Sequence, residues 1–394
     1  MADPIPWVPV RQELEAPEIA DPEAELSRAL AACPGAAGLS GRRVAVPVGS
    51  RAVPGLAGLV RCLVAHLRSA GAEPFVVPAM GTHGGATPEG QEQTLADLGI
   101  TPGAVGVPVV SRPEVVPAGK TPSGITVWCD RAAWEADLIV PLHRVKPHTA
   151  FRGRLESGPA KLLAVGLGKG HSARELHRRD LARGVPEVLG FWLASGKVPF
   201  GVAVVENARH GIARLEVLEP GTWPRAEARL LELARDLLPR LPWDELDLLV
   251  VERIGKDISG TGMDLNVIGM ERRFPGCGAT PRIRRIVALD LTGASHGNAN
   301  GVGYADVVTR RLEERMDRGA TYANTRATGF LEAARLPMVA RDEREALEIA
   351  LESLRLRPDR VRAVRIRDTA YLERFRVSPA LARDLPQGVH KICG

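Results

Sequence analysis

The amino-acid sequence predicts an α/β protein of two domains, with mainly parallel sheets and an interdomain active-site cleft. The chain has 394 residues, which is more than one compact core usually holds. Apolar runs of strand length alternate with segments of helical spacing, an order typical of β-α-β units and parallel sheets. We expect the first domain at residues 1–242 and the second at residues 243–394.

Local signals define the first elements. Asp21 is a predicted helix N-cap, because Pro22 suits the first helical position. A buried strand is predicted for "RRVAVPVGS", and an amphipathic helix that stops at Gly71 is predicted for "GLAGLVRCLVAHLRSAG". The next strand is predicted at "AEPFVVPAMG", which completes a β-α-β unit, and the next helix at "GATPEGQEQTLADLG".

The same alternation continues along the chain. Apolar runs occur at "ADLIVPLH" and "AKLLAVGLG", and a strand is predicted at "FGVAVVENA". The long amphipathic helix "WPRAEARLLELARDLLPRLPWDEL" ends in prolines, and we place the domain boundary there. Further strands are predicted at "LDLLVVERIG", "RIRRIVALDLT", "RLPMVARD" and "VRAVRIRD".

Composition argues against several classes of function. The net charge is +5, but the basic residues are spread along the chain and aromatic residues make up only 4%, so we expect no nucleic-acid partner. The five cysteines are widely spaced without a C-x-x-C pair, which disfavours zinc knuckles and iron–sulfur clusters. Without a signal-like start or an apolar run of about 20 residues, we expect a cytoplasmic protein with no membrane contact. The sequence carries no indication of oligomeric state.

Polar clusters follow the predicted strands where each strand ends. Arg51 follows one strand, His83 lies in the glycine loop "MGTHGGATPEGQ" after the next, and His148 follows "DLIVP". Lys256 and Asp257 follow a strand of the second domain, where we expect them to reach the substrate. Open α/β sheets bind ligands at the carboxyl ends of their strands. The balance of charge favours a small anionic ligand.

The segment from Ile139 to His177 concentrates imidazoles and cations. It holds four of the nine histidines, together with Lys161 and several arginines. His171 and His177 are six residues apart and would not share one helix face, which disfavours a two-histidine zinc site. A basic surface loop is the alternative interpretation of this stretch.

Common nucleotide motifs are missing. No G-x-G-x-x-G stands between a predicted strand and helix, and no G-x-x-x-x-G-K-[ST] occurs. One G-x-S-x-G places Ser295 after a predicted strand, but "NANG" follows where a nucleophile elbow needs a helix. A glycine loop is therefore the favoured interpretation there.

Four features together resemble the lactate racemase family: "GTHGGATPEGQ", a histidine past the next strand, "GPAKLLAVGLG", and a histidine sixteen residues after its lysine. Members of that family use a nickel-pincer nucleotide, a modified nicotinic-acid mononucleotide with sulfur arms around nickel. The resemblance implies that His83 and His148 are the acid/base pair, that Lys161 holds the cofactor covalently and that His177 coordinates nickel. It also implies that Arg51 binds the substrate carboxylate. In the same motifs we expect cofactor contacts from Thr82, Gly84, Gly166 and Gly168.

The implied activity is racemisation or epimerisation of a small 2-hydroxy acid by hydride transfer to and from the nucleotide, which separate biosynthetic enzymes would build. Hydride removal avoids a carbanion, while a histidine takes the hydroxyl proton. Val48-Gly49-Ser50-Arg51 stands where the family carries Asp-x-Thr-Arg, which favours a substrate other than lactate. Two alternatives stay open: a metal-free relative acting on a larger sugar acid, and a non-catalytic protein that binds the cofactor. The cations Arg144, Lys146, Arg152 and Arg154 motivate the first.

Overall fold

The structure is a computed structural model that describes residues 4–51, 53–81, 83–149 and 151–392. The side chains of residues 86, 177, 327 and 328 also lie outside the described part. The chain folds into two compact units. The first unit spans Glu15–Leu238, and the second comprises the residues up to Leu14 and those from Pro239 onward.

The strands share a short length and are, in chain order, β1 (Val8–Gln12), β2 (Arg43–Val48), β3 (Glu73–Pro78), β4 (Val115–Lys120), β5 (Thr126–Asp130), β6 (Leu138–Ile139), β7 (Leu142–Arg144), β8 (Gly201–Glu206), β9 (Ile212–Leu218), β10 (Glu245–Val251), β11 (Arg282–Ala288), β12 (Val307–Thr309), β13 (Met338–Ala340), β14 (Ala363–Ile366), β15 (Arg374–Val377) and β16 (Val389–Lys391).

The α-helices vary more in length and are α1 (Pro22–Ala31), α2 (Leu56–Ser69), α3 (Pro88–Asp97), α4 (Pro102–Val105), α5 (Arg131–Glu135), α6 (Pro159–Lys161), α7 (Lys169–His177), α8 (Leu181–Ala194), α9 (Trp223–Asp236), α10 (Leu265–Ile268), α11 (Arg310–Glu314), α12 (Arg318–Thr328), α13 (Glu343–Leu354) and α14 (Pro379–Ala382).

The first unit is built on one mixed sheet in the order β3-β2-β7-β8-β9, with β6 also paired to β2. The pairs β2–β3, β2–β7 and β7–β8 are parallel, and only β8–β9 is antiparallel. The chain passes from β2 to β3 on one side and later to β7 on the other. This reversal is a topological switch point, where the loops leaving neighbouring strands diverge and open a crevice.

Both faces of this sheet are covered, which explains why its strands are continuous apolar runs. Alternate residues of β2 point to opposite faces: Val44, Val46 and Val48 pack with the helices α1 and α2, whereas Ala45 packs toward α8 and α9. All four side chains are fully buried. The amphipathic helices predicted from the sequence therefore supply the two outer layers.

The second unit contains a sheet in the order β13-β12-β11-β10-β14-β15-β1-β16. The strands from β13 through β14 are parallel, and β15, β1 and β16 extend the sheet by antiparallel pairing. Together with the first unit, this architecture confirms the predicted α/β class with mainly parallel sheets.

The first strand of the chain belongs to the second unit, although the predicted boundary assigns residues 1–242 to one domain. β1 lies between β15 and β16, with Val10 opposite Phe375 and Lys391. Backbone pairing on both sides of β1 accounts for this grouping. No local sequence signal reports a partner that lies more than 360 residues away.

The apolar run "AKLLAVGLG" is helical in the structure. α6 continues into a π-helical turn at Leu162–Gly166, whose five residues are all buried. A short, fully apolar run has no periodicity that distinguishes a strand from a buried helix. This turn places Lys161 at the end of α6, at the point where the helix widens.

Within the described ranges, no helix has both the length and the apolar character that a bilayer crossing requires.

Packing between β8 and α9 gives a test of the core of the first unit. A Cβ at Gly201 would lie 2.2 Å from the ring of Trp223, so Gly201→Ala should lower the free energy of unfolding by about 1–3 kcal/mol through overpacking. The control is Gly190→Ala in α8, where a Cβ meets nothing within 4 Å and helix propensity should raise stability by up to about 1 kcal/mol. Urea denaturation measures both, and equal shifts would contradict the packing.

Candidate active site

Three parallel strands deliver the predicted site residues to one edge of the first unit's sheet. β2 is followed by Ser50 and Arg51, β3 leads into the loop of His83, and β7 leads into the loop of His148. Because β2 lies between β3 and β7, the two histidine loops leave from either side of Arg51. Parallel strands place their carboxyl ends at the same edge. Sheet order thus explains why distant sequence positions converge.

His83 is held by its neighbour strand and by α3. Its Nδ1 forms a short hydrogen bond with the hydroxyl of Ser50. The amide of Gln91, a residue only 1% exposed, donates to the carbonyl oxygens of Gly81 at 3.1 Å and of His83 at 3.3 Å. The shape of this loop is therefore set by a buried side chain of α3 and not by the loop alone.

Gly84 has a structural reason to be glycine. Its φ is +63°, and a Cβ there would lie 2.5 Å from the carbonyl oxygen of Gly90 in α3. The predicted cofactor contact of Gly84 stays a prediction. Thr82, the other predicted contact in this loop, lies outside the described residues.

His148 and Lys161 form a direct side-chain pair. Lys161 Nζ lies 2.7 Å from His148 Nε2, although thirteen positions separate the two residues. The backbone of Lys146 exchanges hydrogen bonds with that of Ser157, at 3.0 and 3.2 Å, which closes the loop that carries His148. The ring of Phe151 packs 4.7 Å from the His148 ring, between centroids. The structure therefore brings together one predicted acid/base residue and the predicted cofactor lysine.

A buried carboxylate organises this loop from inside. Glu156, 1% exposed, accepts hydrogen bonds from the backbone N–H of His148 at 2.6 Å and of Gly153 at 3.1 Å. Its charge is matched by Arg235 of α9 at 2.7 Å and by Arg152 at 3.5 Å. A buried charge persists only when it is paired and hydrogen-bonded, and Glu156 meets both conditions.

A second buried carboxylate supports the start of α6. Glu227 of α9, 1% exposed, accepts from Trp223 Nε1 at 2.7 Å and from the backbone N–H of Ala160 at 3.2 Å. A Cβ at Gly158 would lie 2.1 Å from this carboxyl group, so the glycine permits the close approach. Burial raises the pKa of Glu227 to about 7, while its two hydrogen bonds oppose the rise. One helix, α9, thus supports both the His148 loop and the Lys161 helix.

Electrostatics at the strand ends favour neutral bases. The pKa of Lys161 is lowered to about 8. Burial is the largest cause, the positive charge of Arg51 acts in the same direction, and the negative charge of Glu156 opposes both. Burial lowers the pKa of His143, in β7, to about 3, with help from Arg144, Lys161 and Arg51. His143 therefore stays neutral at physiological pH and is not poised to exchange protons.

Gly49 makes room for the His143 ring. A Cβ on Gly49 would lie 2.6 Å from His143 Cε1, closer than any real contact of this kind. Glycine at position 49 thus accommodates an imidazole beside β2.

The glycines after Lys161 are required by internal packing. A Cβ at Gly166 would lie 2.4 Å from the carbonyl oxygen of Ala79, and one at Gly168 would lie 2.0 Å from Ser172 Oγ. The backbone N–H of Gly81 also donates to the Gly166 carbonyl at 3.3 Å, which ties the His83 loop to the π-helical turn. Cofactor contacts of Gly166 and Gly168 stay predictions.

The predicted nickel ligand closes α7, whose last residue is His177, but its side chain lies outside the described part. Among the described residues, no group of three or more histidine, cysteine, aspartate or glutamate side chains is arranged to hold a metal ion. The nickel role of His177 stays a prediction.

Lys256 and Asp257 lie at the carboxyl edge of the second unit's sheet. Lys256 Nζ donates to Asn324 Oδ1 at 2.7 Å and to the carbonyl of Gly260 at 2.5 Å, and Asp257 accepts from the hydroxyl of Thr292. Ser295 accepts from the backbone N–H of Lys256 at 2.8 Å. Both predicted substrate residues thus take part in hydrogen bonds within their own unit, and the predicted substrate contacts and interdomain cleft stay predictions.

Ser295 lies in a short 3-10 turn that ends at His296 in the left-handed region, with no helix directly after it. Its hydroxyl holds the adjacent loop through Lys256 N and Thr292. The glycine-loop interpretation of this motif agrees with that geometry.

Sequence reasoning missed the supporting residues Glu156, Glu227, Arg235, Ser50 and Gln91. Glu227 carried a detectable signal, because it lies on the apolar face of α9 with Leu230 and Leu231, where a carboxylate is unexpected. Glu156 and Arg235 had no comparable signal, since each looks like an ordinary surface charge until the chain is folded.

No family model matches the chain, and no curated protein sequence matches it. Among solved structures, the fold is similar to that of the lactate racemase apoprotein from Thermoanaerobacterium thermosaccharolyticum, with a TM-score of 0.56 and 16% identity. The match covers 92% of this chain and 94% of that chain. The likeness confirms the fold that the sequence resemblance implies, and at this identity it shows the fold alone.

The raised pKa of Glu227 predicts a stability that depends on pH. The folded state binds a proton here more tightly than the unfolded state, so the stabilising contribution is full below about pH 4.5 and is lost as pH rises through 7. Glu227→Gln keeps one oxygen acceptor and cannot titrate. Between pH 5 and pH 8 the wild type should lose roughly 3 kcal/mol relative to Glu227→Gln.

Chemical denaturation at a series of pH values measures this difference. Glu92→Gln, at an exposed position of α3, is the control and should change the pH dependence little. Parallel curves for the wild type and Glu227→Gln would show that the carboxyl group is charged in the folded protein.

The Glu156–Arg235 pair predicts a large cost for losing one partner. Arg235→Met should lower the free energy of unfolding by about 3 kcal/mol, because Glu156 is left under-compensated in the interior. Arg229→Met, in the same helix, is the control. The Arg229 side chain is 67% exposed in its ion pair with Glu216, so its loss should lower the free energy of unfolding by about 0.5 kcal/mol or less. Thermal or urea unfolding compares the two, and similar losses would refute the assigned burial of Glu156.

Proposed function

We propose that this protein is a racemase or epimerase of a small 2-hydroxy acid that works with a nickel-pincer nucleotide. The observation that carries the proposal is the sheet order. His83 and His148 lie on loops from β3 and β7, on either side of β2, the strand that Arg51 follows. The likeness in fold to a lactate racemase apoprotein supports it.

Two imidazoles suit an inversion that exchanges one hydroxyl proton on each face of the substrate. When hydride leaves the reacting carbon, the hydroxyl group must lose its proton to a nearby base. Histidine has an ordinary pKa near 6.5 and can accept that proton and return it at neutral pH. His83, fixed at Nδ1 by Ser50, and His148, held through its backbone by Glu156, would be the two bases.

Arg51 would bind the substrate carboxylate between the two histidine loops. A guanidinium can hold a carboxylate by two parallel hydrogen bonds, which leaves the reacting carbon as the part that changes its face. The effect of Arg51 on the pKa of both His143 and Lys161 supports a position among the site residues.

The residues present fit the proposed cofactor. The lowered pKa of Lys161 gives a substantial neutral fraction near neutral pH, as covalent attachment through its amine requires. Because the described residues offer no cluster of metal ligands, the nucleotide itself would supply most of the donors to nickel, with His177 as the protein ligand. When bound, the nucleotide would supply the electron-poor ring that accepts hydride.

Two of the four cations that motivated the metal-free alternative with a larger sugar acid, Arg144 and Arg152, give it no support. Arg144 forms a largely buried ion pair with Glu206, and Arg152 pairs with Glu156 and donates to the carbonyl of His148. These two arginines form ion pairs within the first unit, so their charges are already compensated by carboxylates.

The histidine roles are tested on protein produced with the cofactor-building enzymes. His83→Asn and His148→Asn should each slow interconversion of 2-hydroxy acid enantiomers by roughly 10²–10⁴-fold, because each removes one proton-transfer group. Chiral chromatography across a panel of 2-hydroxy acids measures the rate. His66→Asn, in the last turn of α2, is the control and should leave the rate unchanged.

Cofactor loading is measured on the same samples, by nickel content and by the mass of the peptide that contains Lys161. Full loading with retained turnover in both histidine variants would eliminate the acid/base mechanism. Full loading of the wild type without turnover on any substrate would favour the cofactor-binding alternative.

A further inference from the structure

We propose that Lys161, in the chain without cofactor, is a nucleophilic amine that condenses with the carbonyl group of a small 2-oxo acid and forms an imine. This is an activity distinct from the proposed racemase and does not depend on nickel. Three observations support this proposal: the contact of Lys161 with His148, the surroundings of two other lysines, and the nearby guanidinium of Arg51.

The contact of Lys161 differs from those of Lys169 and Lys197. Its Nζ lies 2.7 Å from an imidazole nitrogen, which can accept a proton from the amine. Lys169, eight residues later, instead forms a buried pair with the carboxylate of Asp130 at 2.9 Å. Lys197 donates to two backbone carbonyls, of Trp134 and Ala136. Among the described ion pairs, none joins Lys161 to a carboxylate within 4 Å.

The charges around Lys161 favour its neutral form. Arg51 lies near enough to disfavour the ammonium, as does burial, and the pKa falls to about 8 in spite of Glu156. A lysine beside another cation in a desolvated site is a recognised arrangement for imine formation. At pH 7 the neutral fraction of such an amine is about 200-fold larger than that of an ordinary lysine with a pKa near 10.4.

The proposal requires that a small molecule reach this amine. Lys161 is partly buried as a residue, and its partner His148 follows β7 at the carboxyl edge of the sheet, where open α/β sheets bind ligands. A 2-oxo acid matches the pair of groups present. Arg51 would bind its carboxylate, which places the adjacent carbonyl carbon toward Lys161.

The condensation balances without an oxidant or a reductant. The lone pair of Nζ attacks the carbonyl carbon, and the carbonyl π electrons move to oxygen. His148 first moves one proton from the attacking nitrogen to the oxygen, which gives the carbinolamine. It then moves the second nitrogen proton to the hydroxyl group, and the oxygen leaves as water while the nitrogen electrons form the carbon–nitrogen double bond. The products are the imine, with a carbon–nitrogen double bond to Lys161, and one water molecule.

Reductive trapping tests the inference on the full-length chain, produced in a host without the cofactor-building enzymes. The protein is incubated with pyruvate and sodium cyanoborohydride at pH 7, and the adduct on each lysine peptide is measured by mass spectrometry. The seven lysines of the chain make the assignment simple. We expect Lys161 to carry most of the label, at least roughly tenfold above any other lysine.

Two lysine variants serve as a matched pair. Lys161→Arg should abolish the labelling at that peptide, whereas Lys169→Arg should leave the label on Lys161 intact. The yield on Lys161 should rise with pH through a midpoint near pH 8, which is the pKa of an amine that faces His148, Arg51, Glu156 and the neutral His143. Equal labelling of all accessible lysines, or no label on Lys161, would overturn the proposal.

Arg51→Gln tests the carboxylate part separately. At pH 9 this variant should lower the labelling by pyruvate relative to labelling by acetaldehyde, which has a carbonyl but no carboxylate. An unchanged ratio would remove the 2-oxo acid as the preferred ligand class. Circular dichroism confirms folding of each variant. If Lys161 is trapped by pyruvate but the protein never loads nickel, only the proposed racemase function fails. If the protein loads nickel but Lys161 is not trapped, only the imine proposal fails.

Discussion

The buried carboxylate of Glu156 is the constraint on which the arrangement of the site depends. It holds the backbone of His148 from inside the loop, and it must be compensated by Arg235 from α9 and by Arg152. A charge in that position cannot be left unpaired without a large loss of stability. The position of an imidazole at the sheet edge is thereby coupled to a helix on the outer layer of the same unit.

The two loops on either side of Arg51 are supported by different means. The His83 loop takes its shape from Gln91 and from a glycine against α3, which are neutral contacts. The His148 loop depends on charged groups buried beside α9. The two imidazoles therefore sit in unequal settings, although their loops leave the sheet from either side of β2.

Much of the fold and part of the site follow from sequence patterns, for identifiable reasons. The strand ends were predictable because buried strands such as β2 and β3 are unbroken apolar runs that stop at polar residues. The helical form of residues 159–166 was not, since an apolar run without periodicity fits either state. The sequence predicted that His148 and Lys161 lie in the same site, but not that their side chains are in direct contact. Glu156 and Glu227 were missed because burial, the property that makes a carboxylate informative, arises from contacts between distant segments.

The place of β1 has a consequence for how the second unit can be made. Residues 8–12 are synthesised before β15 and β16, with which they pair. β1 therefore lacks its two neighbours in the sheet until both have been made, and these contacts join segments more than 360 residues apart, a topology that slows folding. A fragment cut at the border near Pro239 would lack this strand, leaving β15 with an open edge and β16 without a neighbour in the sheet. Such an edge invites pairing between molecules, so the second unit needs β1 together with β15 and β16 to complete its sheet.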